Sequence, residues 1–66
     1  MSEFTDNQAK IEQRLNHAGE TADLIRYAID HVASPTPEFA QEMSDRLVSA
    51  TNTRDFWHTI LGNMVE

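Results

Sequence analysis

Val32-Ala33-Ser34-Pro35-Thr36-Pro37-Glu38 is the stretch that decides the fold. Two prolines in three residues remove two backbone donors and push Ser34 and Thr36 toward extended conformations, so a helix arriving over residues 22–33 must stop here. The same residues start the next helix. Thr36 is placed as N-cap, Pro37 at the first helical position and Glu38 in the first turn, where its charge complements the helix dipole.

Downstream, Phe39, Ala40, Met43, Leu47 and Ala50 share one helical face with Val48 off to the side, and fraying is expected at Thr51-Asn52. A further helix is then expected over residues 54–61, capped by Asn52 or Thr53. Gly62-Asn63-Met64 resembles a Schellman ending, with continuation to Glu66 as the alternative. Upstream, Thr5-Asp6-Asn7-Gln8 has the spacing of a capping box and Phe4 can staple onto Ala9, which predicts a first helix starting near Asp6. Its apolar residues Phe4, Ile11, Leu15 and Ala18 form a narrow stripe. Gly19 offers a C-cap and Thr21 a fresh N-cap, so a break is expected there; an unbroken helix is the alternative, because one interior glycine costs only about 1 kcal/mol. The expected fold is therefore all-α: one helical domain over residues 1–66, a small bundle of three to four short helices, completed by homodimerisation.

Size and charge bound the function. A chain of 66 residues and 7.5 kDa has room for one thin core, and without cysteine it has neither a disulfide framework nor a thiolate metal site. Eleven acidic against five basic residues give a net charge of −6. Direct nucleic-acid binding is disfavoured, since that affinity needs clustered Lys and Arg, and the only local basic pair is Lys10 with Arg14. The apolar runs are far shorter than the roughly 20 residues a membrane span requires, and Met1–Asp6 lacks the charged and apolar regions of a secretory signal. No membrane association and a cytoplasmic location are expected. In size, acidity and helical economy the chain is similar to small regulators carried by phages and mobile elements, a likeness that no motif carries.

Two segments are apolar over about half their circumference, wider than the arc of a little over ~100° that a surface helix needs. They are Leu24, Ile25, Ala28, Ile29, Val32 and Ala33, and Phe56, Trp57, Ile60, Leu61, Met64 and Val65. One such helix can be the centre of a thin core. The second predicts a contact with another polypeptide through Phe56, Trp57, Ile60, Leu61 and Met64, unless a compact bundle wraps both. The 4-3 spacing of Ile11, Leu15, Ala18 and Ala22 is also suited to zip against a partner helix.

The remaining constellations are weaker. Glu38, Glu42 and Asp45 line one side of a helix, as do Glu20, Asp23 and Asp30; such stripes can imitate a phosphate backbone, though their ordinary role is a solvated face with Arg46 and Arg26 as local partners. His17, His31 and His58 have no metal-ligand spacing, Asp55 with His58 is a common chance pair, and His31 reads as a helix-end histidine near the dipole. No nucleophile elbow or phosphate-cradling loop occurs, so no catalytic, cofactor or metal site is assigned. Residues 37–62 also suggest helix-turn-helix topology, but Asp55, Phe56, Trp57 and Ile60 stand where base-reading side chains belong. The sequence thus predicts a non-enzymatic regulator acting by protein–protein binding as an inhibitor or adaptor. A nucleic-acid mimic is the alternative, and a DNA-binding helix pair comes third.

Overall fold

The computed structural model describes residues 2–65. Two long helices, α1 (Glu3–His31) and α2 (Pro37–Asn63), account for most of the described residues and lie antiparallel as a hairpin 51 Å long and 16 Å by 12 Å across. Among the described residues there are two helices, not the three to four expected. α1 runs unbroken through Gly19, and Thr21 continues the helix, its hydroxyl donating to the His17 carbonyl at 2.9 Å. α2 likewise runs unbroken through Thr51-Asn52, so the turn required by a helix-turn-helix over residues 37–62 does not form.

The ends follow capping chemistry. α1 begins three residues earlier than the capping box implied: Ser2 is the N-cap, its Oγ accepting from the Thr5 amide at 3.1 Å. α2 starts as expected, with Thr36 extended (φ −76°, ψ 157°), its hydroxyl accepting from the Phe39 amide at 3.1 Å, and Pro37 in the first turn. Between the helices the chain reverses over residues 32–36, and here Ser34 departs from the extended conformation expected before Pro35: it adopts a left-handed φ of 53°, whereas Thr36 before Pro37 is extended. At the C-terminal end the helix carries Gly62 and Asn63, and Met64 is an extended C-cap (φ −70°). No glycine has positive φ, so the Schellman ending is replaced by a simple stop in which the Met64 amide reaches the Leu61 carbonyl at 3.4 Å.

The helices stay together along a seam whose residues recur at alternating spacings of four and three. In α1 these are Ile11, Leu15, Ala18, Ala22 and Ile25; in α2 they are Met43, Leu47, Ala50, Arg54, Trp57, Leu61 and Met64. This is the heptad spacing that lets two helices interlock side chains over their length. Among the described residues only Ala18 (5% exposed) and Ala22 (1%) are buried, and the other seam residues are half-buried. The 4-3 stripe of α1 therefore zips against α2 of its own chain. Small residues at the midpoint let the backbones approach there, and Arg54 lies along the seam opposite Gly19: a methyl placed on Gly19 would be 3.9 Å from Arg54 Cδ. The arginine stem covers apolar surface while its head, 3.2 Å from Asp55, stays in solvent.

Candidate protein-binding face

A hairpin of two helices has two broad flanks, and these differ. On one, a groove runs between α1 and α2 with Ala18 and Ala50 in its floor and Arg14, His17, Thr53 and Trp57 on its walls. Arg46 and Ser49 belong both to this groove and to a shallow depression along α2 that Glu38, Gln41, Glu42 and Asp45 line, so the acidic stripe and the groove form one continuous face. The opposite flank carries a smaller depression beside Gly19, lined by Asn16, Glu20, Asp23 and Arg54.

The aromatic cluster sits toward the open end of the grooved face. Trp57 is half-buried against α1, with the Arg14 guanidinium carbon 6.0 Å from its ring centroid, the outer range of a cation–π contact. Phe56 meets Trp57 edge-on at 5.1 Å between centroids and is 57% exposed. Ile60, Leu61 and Met64 are half-buried. Of the five apolar residues singled out in the sequence, Trp57, Leu61 and Met64 thus lie on the intramolecular seam, Ile60 flanks it, and Phe56 projects into solvent.

The acidic residues are engaged locally. Arg46 Nη2 donates to Glu42 Oε1 at 3.0 Å, and Gln41 donates to Asp45 at 2.9 Å; both are exposed contacts one helical turn apart. Such a pair contributes a few tenths of a kcal/mol, about 0.3–0.5, to the helix. Glu38, Glu42 and Asp45 nonetheless stand together on one solvent-facing stretch at the loop end of the face.

Leu24 (70% exposed), which the sequence placed in a wide apolar arc, and Tyr27 (62%), which sequence reasoning left out of it, both project into solvent. Tyr27 stacks on His31 at 3.9 Å, and His31 Nδ1 donates to the Tyr27 carbonyl at 2.8 Å, a local clasp on the last turn of α1. The signal lay in the helical period, since Leu24 and Tyr27 fall opposite the Ala18–Ala22–Ile25 row once α1 is continuous. His17, His31, His58 and Asp55 are all exposed, and no group of three metal-ligating side chains comes together among the described residues. No described helix is long and apolar enough to cross a membrane. No family model matches the chain, and neither the curated proteins nor the solved structures give a match.

Proposed function

We propose that this protein is a small non-enzymatic regulator that acts by protein–protein binding, as an inhibitor or adaptor, and that it works as a homodimer. The observation that carries this is surface area. The hairpin exposes 5169 Å², whereas a compact protein of its mass exposes about 4,250 Å². The excess, about 900 Å², is close to the roughly 800 Å² that each partner buries in a standard protein interface. Two layers of helix with two buried alanines leave apolar side chains half-covered, and association removes that surface from water.

Light scattering across a hundredfold concentration range, with Trp57 fluorescence on the same samples, tests the reading. A dimer whose Trp57 emission shifts to the blue on association supports it, and a monomer at every concentration overturns the homodimer. Phe56→Asp removes the most exposed member of the cluster without entering the seam, so it lowers association while helix content is kept.

A second reading, mimicry of nucleic acid through Glu38, Glu42 and Asp45, is favoured by their common placement on one open stretch. It predicts partner affinity that falls steeply from low to physiological ionic strength, whereas an apolar interface is nearly indifferent to salt.

A further inference from the structure

The turn between the helices is bent against its own sequence. Pro35 and Pro37 restrict the residues before them to extended backbone, and Thr36 complies with φ −76° and ψ 157°. Ser34 does not. Reversing the chain puts it at φ 53°, a region that a residue with a Cβ enters at a cost and that the following proline disfavours again. Among the described residues it is the one non-glycine position with positive φ. Nothing polar locks the closed form either: the hydrogen bonds and ion pairs of the described side chains join residues no more than four positions apart. Across the hairpin, α1 and α2 are held by seam packing around Ala18 and Ala22 and by the Arg14–Trp57 contact.

We propose that residues 32–36 are a hinge and that two copies of the chain exchange α2 across it, each α1 packing in the same seam against the α2 of the other copy. The seam names the occupant, because a second copy brings the same row of Ala50, Arg54 and Trp57 in the register that fits Ala18, Gly19 and Ala22. The seam contacts are the same in both forms, so the turn decides between them. Opening lets both Ser34 residues extend before proline, and the fixed φ of Pro35 and Pro37 leaves the opened segment little freedom to lose. Against exchange stands the effective concentration of a helix tethered by a short linker, in the millimolar range. A left-handed residue costs a factor of about 5–30, and two are released per dimer. Exchange therefore gains about 30- to 900-fold, which brings its dissociation constant to about 1–30 µM. It goes beyond the flank contact read above: it leaves that flank open and stands or falls separately from it.

The chain contains no cysteine, so Gln13→Cys with Thr59→Cys places two spin labels per copy, both at exposed positions near the level of the Arg14–Trp57 contact. Refolded with an excess of unlabelled chain, the labelled copies report the distance within one chain by pulsed dipolar spectroscopy. In the closed hairpin that distance is about 20 Å, the width of two packed helices. After exchange the two positions lie on opposite sides of the hinge, more than about 50 Å apart at 1.5 Å of rise per residue. The expected result is the long distance at total concentrations well above about 30 µM and the short one well below about 1 µM. The short distance kept in a sample that light scattering shows to be dimeric overturns the exchange and leaves the flank homodimer standing. The short distance in a sample monomeric at every concentration overturns both. Ser34→Gly is the second check, because glycine adopts φ 53° without the penalty. It is expected to weaken the exchanged dimer by about 30- to 900-fold with helix content unchanged, and a long distance that this substitution leaves in place overturns the proposal.

Discussion

Gly19→Ala separates a continuous α1 from a broken one by the sign of its effect. In the hairpin Gly19 lies mid-helix without positive φ, and a methyl group there would meet only Arg54 Cδ at 3.9 Å, an ordinary van der Waals contact. Alanine in a helix interior is favoured over glycine by about 0.8–1.0 kcal/mol. The new carbon contact adds about 0.1–0.2 kcal/mol. The expected gain is therefore about 1 kcal/mol, which for a chain of this size raises the melting temperature by about 4–8 °C. Were Gly19 instead the left-handed residue that closes one helix before another starts at Thr21, alanine would cost about 1–2 kcal/mol, so the two structures differ by more than 2 kcal/mol in outcome. Far-UV circular dichroism melts and urea titrations of both proteins, at one fixed concentration because the proposed self-association would make stability concentration-dependent, measure the difference. A melting temperature lowered by the substitution refutes the continuous helix.

Gly62→Ala is expected to stabilise by a few tenths of a kcal/mol, about 0.3–0.5, since the site is helical, open and near a fraying end; a loss in urea titration would restore the Schellman ending. Ala22→Leu overpacks the most buried position of the seam and should cost about 1–3 kcal/mol by thermal melt; an unchanged melt would mean the seam is looser than the 1% exposure of Ala22 indicates. Thr36→Ala removes the cap that holds the Phe39 amide and should cost about 1 kcal/mol, with Thr36→Ser restoring most of it, read by the urea midpoint.

The loop and the second helix start were legible because they rest on local chemistry. Pro35 and Pro37 act through their own rings and Thr36 through an amide three residues on, whatever the rest of the chain does. The two supposed breaks were not legible for the opposite reason. Gly19 and Thr51-Asn52 are weak local signals, each outweighed once the helix on either side packs in phase against a neighbour. Arg54 concealed that phase. It occupies a seam position between Ala50 and Trp57, where an apolar residue is expected, and only the opposing Gly19 explains how its stem fits.

The candidate face divides in the same way. That Phe56, Trp57, Ile60, Leu61 and Met64 form an apolar surface wider than one packing partner needs follows from helical periodicity alone. Which of them is free does not, because the seam is chosen jointly by both helices: Trp57, Leu61 and Met64 turn inward to meet α1, and Phe56 is left exposed. Likewise the three carboxylates and the Lys10–Arg14 pair are visible as charges on separate segments. Sequence by itself determined an all-helical chain with a proline-directed reversal, acid-rich and without cysteine, because composition, capping and periodicity act within a few residues. Only the tertiary structure decided that the described residues form two helices and that Trp57, Leu61 and Met64 lie in the seam while Phe56 stays exposed, since continuity and facing depend on contacts between residues far apart in the chain.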